Sequence, residues 1–179
     1  EDTHMFKGTS ASAGIGIGKA VIVEEAELVI TRNEVADAEA EIQRFKGALE
    51  KTIAATQKMA DDLASRVGEK EAEIMQGHMM LLSDPMLTGE IENSVKNDKV
   101  NCEFAIENVC NMYADMFASM GDELMQQRAT DMRDIKVRMQ RTLMGLESVD
   151  VSLLPKGSIL VAKDLTPSMT AGINPENVS

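Results

Sequence analysis

Large rings are almost absent from this chain. There is no Trp, one Tyr and four Phe, so aromatics make up 3% of the 179 residues. A core must then be filled by Leu, Ile, Ala and the 14 Met, side chains that lose little freedom in a helix, and the chain is expected to be mostly helical. Positive charge is also short: 18 Lys and Arg face 30 Asp and Glu, a net charge of −12. Such a chain repels phosphate backbones and anionic lipid, which argues against nucleic-acid and membrane-surface roles. It attracts a partner with a basic patch, and it also keeps a protein soluble whatever its role. The only cysteines are Cys102 and Cys110. Eight residues apart in a helical stretch, they sit about two turns from each other, too far for an unstrained disulfide. Neither has a second metal ligand at a useful spacing, so no metal site is expected and both read as reduced thiols of a cytoplasmic protein. No apolar run reaches bilayer length and no signal peptide is evident. Residues 1–5, including His4, read as an added leader, which leaves His78 as the one native imidazole.

Apolar residues at 44% and charged residues at 27% fit a globular chain with a real core. Phe6 to Val23 reads as turns leading into a β-branched strand. Gly14, Gly16 and Gly18 lack the third glycine of a dinucleotide fingerprint and no helix follows them, so tight turns or a close backbone approach explain them better. From about residue 34 the period becomes helical. Val35, Ala38, Ile42, Phe45, Leu49, Ile53, Met59, Leu63 and Val67 mark one long amphipathic helix, roughly 50 Å. Thr31 to Glu34 offers its capping box and Gly68 its stop. A second helix runs from Glu69 to about Ser83. Asp84 and Pro85 then cap and start a third, giving a kinked pair. A fourth starts near Asn101 and is punctuated by Gly121-Asp122, and a fifth ends at Gly145. Short connections predict a bundle of antiparallel neighbours. Ser158 to Ala162 returns to the strand pattern, expected to pair with the first strand, and Thr166-Pro167 opens a last helix. The methionines read first as core, though a Met-rich stripe on a surface suits a partner.

Four motifs in order carry a resemblance. They are Ser10-Ala11-Ser12-Ala13-Gly14-Ile15-Gly16-Ile17-Gly18-Lys19-Ala20, Gly77-His78-Met79-Met80-Leu81-Leu82-Ser83-Asp84-Pro85, Arg128-Ala129-Thr130-Asp131-Met132-Arg133-Asp134-Ile135, and Ile159-Leu160-Val161-Ala162-Lys163-Asp164-Leu165-Thr166-Pro167-Ser168. Together they resemble the N-terminal half of enzyme I of the bacterial phosphoenolpyruvate:sugar phosphotransferase system, from Phe6 to Ser179. The resemblance implies a mostly α fold. A helical HPr-binding domain, residues 33–147, is inserted in an incomplete α/β phosphohistidine domain, residues 6–32 and 148–179. HPr is the histidine-containing phosphocarrier. In the family, phosphoenolpyruvate phosphorylates a His in the α/β part, which passes the group to HPr. By the match that His lies beyond Ser179, so no catalytic residue is expected here and His78 is not the acceptor. Mg²⁺ and a homodimer interface are expected of the parent enzyme's other half, and no cofactor of this stretch.

The resemblance also places an HPr-facing surface. It gathers Glu69, Ile74, His78, Met80, Leu81, Asp84 and Leu87 from the kinked pair, Cys110, Tyr113 and Phe117 from the next helix, and Met125 and Arg128 from the last. Glu69 and Asp84 would edge an apolar patch with negative charge. A lone His on an apolar helical stripe is more often structural, and Ile74 and Leu81 could equally be core. Lys70 and Met86 stand where the family often has carboxylates, and Ala13 where it has Pro. Thr170 resembles the threonine that hydrogen-bonds the resting active His. Two other readings stay open: a nitrogen-regulatory paralogue, and a helical scaffold or self-associating bundle with no phosphotransfer role.

Overall fold

The computed structural model describes residues 13–25, 27–146 and 149–178. Strand β1 (Lys19–Val23) is followed by five helices, α1 (Ala38–Arg66), α2 (Glu69–Leu82), α3 (Pro85–Asp98), α4 (Cys102–Ser119) and α5 (Glu123–Met144). A 3₁₀ turn (Val151–Leu153), strand β2 (Ser158–Ala162) and the short helix α6 (Pro167–Gly172) close the chain. The fold is the expected mostly α architecture with a small parallel strand pair. No helix among the described residues is long and apolar enough to cross a membrane.

Local chemistry sets most boundaries. Asp84 accepts from the Met86 N–H at 2.8 Å with Pro85 at the first helical position, and Asp122 accepts from the Met125 N–H at 2.9 Å. Gly145 ends α5 at φ 66°, a left-handed turn that costs glycine nothing. The start of α1 departs from expectation. Residues 31–35 run extended against the α3–α4 connection, with Val35 N–H donating to Lys99 O at 2.8 Å and Asn33 N–H to Asn101 Oδ1 at 2.8 Å. Those backbone groups are therefore satisfied without a capping box. The helix starts four residues later, where Asp37 accepts from the Ala40 N–H at 3.0 Å. At 29 residues it is about 44 Å long.

The main core lies where α1, α3, α4 and the C-terminal half of α5 meet. Ile42, Phe45, Leu82, Leu87, Ile91, Ile106, Met132, Ile135 and Met139 are its largest members. Each such side chain contributes about 1.5–3 kcal/mol by leaving water. The buried stripe of α1 continues through Thr52 and Thr56, which the apolar periodicity does not show. Their hydroxyls donate to the carbonyls of Ala48 and Thr52, at 2.9 and 2.7 Å, so burial leaves neither unsatisfied.

β1 and β2 pair in parallel, Lys19 opposite Ser158 through Val23 opposite Ala162. A side chain at Gly18 would collide with the carbonyl of Gly157, which accepts the neighbouring Lys19 N–H at 3.0 Å. This is the close approach that the glycine-rich segment suggested. The strand pair is tied to the helices by side chains. Asp134 of α5 accepts both the backbone N–H (2.7 Å) and the hydroxyl (2.8 Å) of Ser168. Arg66, at the end of α1, donates to the carbonyls of Ala171 and Ile173.

Candidate docking surface

The Ser83-Asp84-Pro85 break turns the chain between α2 and α3, and three contacts gather other elements around it. The Tyr113 hydroxyl of α4 lies near the carboxylates of Glu90 and Asp84; burial first, then these two charges, push its pKa up. The Tyr113 and Phe117 rings pack edge to face, 6.3 Å apart. At the start of α5, Gln126 donates to Ala118 O of α4 at 2.8 Å, and Arg128 Nη1 reaches Gly77 O of α2 at 3.4 Å. The end of α2 and α4 and the start of α3 and α5 thus converge at one end of the bundle.

Of the twelve residues expected on this face, Glu69, Ile74 and Met80 are exposed, and Asp84, Tyr113, Phe117, Met125 and Arg128 are partly so. The other four are buried. His78, Leu81, Leu87 and Cys110 are between 0 and 8% exposed. Leu81, Leu87 and Cys110 belong to the main core. Their side chains lie beneath the exposed ones. For His78 and Leu81 the reason is geometric: α2 is covered both by α1 and by α5, so its inward stripe is wide. Glu69 sits at the far end of α2 from Asp84, which stretches the face along the whole helix. Thr170, in α6, is exposed and its hydroxyl donates to Thr166 O at 3.0 Å.

His78 is held in a buried polar network. Its Nε2 lies 3.3 Å from Asp131 Oδ1, and Arg138 Nη1 lies 3.5 Å from its Nδ1. A guanidinium can only donate, which assigns Nδ1 as the acceptor and Nε2 as the N–H facing the carboxylate. Gln127 also donates to Asp131, at 3.1 Å, and Arg138 donates to Thr56 at 2.7 Å. Burial lowers the Arg138 pKa against the pull of Asp134. With no exposed atom, the ring is a structural linker between α1, α2 and α5.

Sequence reasoning missed a set of exposed apolar side chains at the convergent end: Met86 (68%), Met112 (52%), Met116 (45%), Met120 (55%) and Leu124 (63%). The signal was present in the four-residue spacing of Met112, Met116 and Met120. Acidic residues lie within four positions of them along the chain: Asp84, Glu90, Asp115, Asp122 and Glu123. Among the described residues one group of His, Cys, Asp or Glu is close enough to hold a metal, Glu41, Cys102 and Glu103. It does not fit Mg²⁺. Arg44 occupies it, 2.7 Å from both carboxylates, and burial holds the Cys102 thiol far above its ordinary pKa.

A family model described as PEP-utilising enzyme, N-terminal, matches residues 7–128. The chain belongs to the PEP-utilising enzyme N-terminal family. This PEP-utiliser chain is 38% identical over 173 residues to the phosphoenolpyruvate-protein phosphotransferase of Bacillus subtilis (strain 168), covering 97% of itself and 30% of that protein. It is 40% identical over 169 residues to the protein of the same name from Listeria monocytogenes serovar 1/2a, covering 94% of itself and again 30% of the relative. The PEP-utiliser chain therefore spans less than a third of these relatives. An NMR solution structure of Enzyme I (nEIt) superposes with a TM-score of 0.85 at 36% identity, covering 97% of this chain and 71% of that one. The N-terminal domain of Enzyme 1 - Nitrogen shares the fold, with a TM-score of 0.67 at 24% identity over 92% of this chain and 68% of that one. The resemblance read from the four motifs is borne out.

Proposed function

We propose that these 179 residues are the docking portion of an enzyme I of the phosphoenolpyruvate:sugar phosphotransferase system, and that HPr seats on the convergent end of the helical bundle and along α2. In this reading residues 33–147 form the HPr-binding domain, and residues 6–32 and 148–179 belong to an α/β phosphohistidine domain. The reacting imidazole, Mg²⁺, phosphoenolpyruvate and the homodimer contacts belong to other parts of the enzyme, which acts in the cytoplasm in sugar uptake. The observation that carries the reading is the exposed Met and aromatic face edged by carboxylates. A small carrier whose active His is surrounded by apolar and basic groups complements it. Identities of 38 and 40% to phosphoenolpyruvate-protein phosphotransferases favour the sugar branch over the nitrogen one.

Titrating HPr into this chain by calorimetry tests it. Saturable 1:1 binding that weakens as salt rises from roughly 0.05 to 0.5 M is expected. Incubation with phosphoenolpyruvate and Mg²⁺ should leave His78 unmodified. Absence of binding, with self-association instead, would favour a bundle that pairs with its own copy.

A further inference from the structure

Six methionines among the described residues are more than 40% exposed: Met80, Met86, Met112, Met116, Met120 and Met144. Met75, Met132 and Met139 are at most 1% exposed. An exposed thioether does little for the fold, so the distribution of the six is informative. Met144 stands alone at the last turn of α5. Met80 lies on α2, Met86 on α3, Met112 and Met116 on α4, and Met120 at the C-cap of α4.

Helical geometry puts two of the five on the sides of α3 and α4 that carry Glu90 and Tyr113. Met86 and Glu90 are four residues apart on α3, hence on one side of it, and Glu90 is the neighbour of Tyr113. Met116 follows Tyr113 by three residues and so shares its side of α4, and Met112 lies one turn before Met116. α5 meets α4 through Glu107–Lys136 and through Asp115–Arg133, the latter beside the exposed Met112 and Met116. Exposed sulfurs of α3 and α4 thus lie on the sides of their helices that carry Glu90 and Tyr113, with Met80 and Met120 at the adjoining helix ends.

We propose that this face is a peroxide-sensitive site, at which reversible oxidation of Met86, Met112 and Met116, with Met80 and Met120, weakens the docking of HPr. The inference rests on the docking reading above. The thioether sulfur attacks one oxygen of hydrogen peroxide and the O–O bond breaks. Sulfur is oxidised by two electrons to the sulfoxide, and the peroxide is reduced to water. A flexible apolar tip becomes a polar, chiral one, which must be desolvated when a partner covers it. The carboxylates around the patch draw a basic carrier onto it, so the modified sulfurs lie under the bound protein. Core methionines are shielded from the oxidant, so the fold survives the reaction. Enzymes that reduce methionine sulfoxide with thiol electrons restore the face.

The test treats this chain with dilute hydrogen peroxide, maps sulfoxides by peptide mass spectrometry and measures HPr binding before and after. The five methionines should oxidise well before Met75, Met132 and Met139. Affinity should fall by roughly tenfold or more, the equivalent of losing one well-buried methionine contact. Methionine sulfoxide reductase should restore it, and far-UV circular dichroism should not change. Whatever affinity the variant Met80→Leu/Met86→Leu/Met112→Leu/Met116→Leu/Met120→Leu has for HPr, peroxide should leave that value unchanged although Met144 still oxidises, and a fall as large as that of the unaltered chain overturns the proposal. Full sulfoxide at Met86, Met112 and Met116 with unchanged affinity overturns the proposal alone. No binding before treatment overturns the docking reading and this proposal with it.

Discussion

Replacing His78 by Ala separates a structural role from a docking one. The ring is 0% exposed, and its side chain links α2 to α5 through Asp131 and Arg138. Removing it deletes one hydrogen bond to a carboxylate, and bonds to charged groups are worth about 1.5–3 kcal/mol. It also opens a void in a fully packed site, which adds roughly 1–2 kcal/mol. Against this, Asp131 keeps Gln127 at 3.1 Å and Arg138 keeps Thr56 at 2.7 Å, so neither charge is orphaned. The net loss is about 3 kcal/mol. For a domain of this size each kcal/mol moves Tm by roughly 2–4 °C, so a fall of about 6–12 °C is expected. Thermal unfolding followed by circular dichroism reads the first quantity. HPr titration well below the lowered Tm reads the second, and affinity should be unchanged within about twofold. A Tm shift below about 2 °C, together with a tenfold loss of HPr affinity, would place the imidazole at the interface and refute the burial argument.

Other perturbations follow the same logic. Asp84→Asn keeps a good N-cap for α3 but removes its charge; HPr binding should weaken, by most at low salt, with Tm nearly unchanged. Asp134→Ala frees the Ser168 N–H and hydroxyl, so hydrogen exchange should accelerate in α6 and β2 while α1 stays protected. Even in the unaltered chain β2 should exchange faster than α1, since the strand pair has only two members. Acid should destabilise the fold through Glu41 and Glu107. Burial opposes their ionisation, but hydrogen bonds from Arg44 and Cys102 to Glu41, and from Gln140, Lys136 and Asn111 to Glu107, outweigh it and lower both pKa values. A carboxyl lowered on folding stabilises above its unfolded pKa and loses that contribution as pH falls through the folded one. Chemical denaturation midpoints should be flat above about pH 5 and decline below about pH 4.5, and Glu41→Gln/Glu107→Gln should flatten the decline. Burial pushes the Cys110 thiol up to about 12, so iodoacetamide should not label it in the folded chain.

Helix ends were legible in the sequence because they rest on local chemistry: Asp84-Pro85, Asp122, Gly145 and Thr166-Pro167 each act within one turn. The start of α1 was not, because Asn33 and Val35 find long-range partners at Asn101 and Lys99 that no local pattern displays. The site divides in the same way. Periodicity marks the apolar stripe of a helix but not which part of it neighbours cover. Met80 and Leu81 are adjacent, one 66% and the other 8% exposed, and the packing of α1 and α5 on α2 decides between them. Thr52 and Thr56 were invisible as core because their polarity is cancelled by bonds one turn back. The methionines read first as core, and their spacing does not display that Met112, Met116 and Met120 stand exposed among the described residues.

The most direct test of the docking face is a titration of this chain, labelled with ¹³C at its methionine methyls, by unlabelled HPr. The signals of Met80, Met86, Met112, Met116 and Met120 should shift saturably, while those of Met75, Met132, Met139 and Met144 stay in place. Shifts confined to Met144 and the core methionines, or none with HPr in excess, would contradict it.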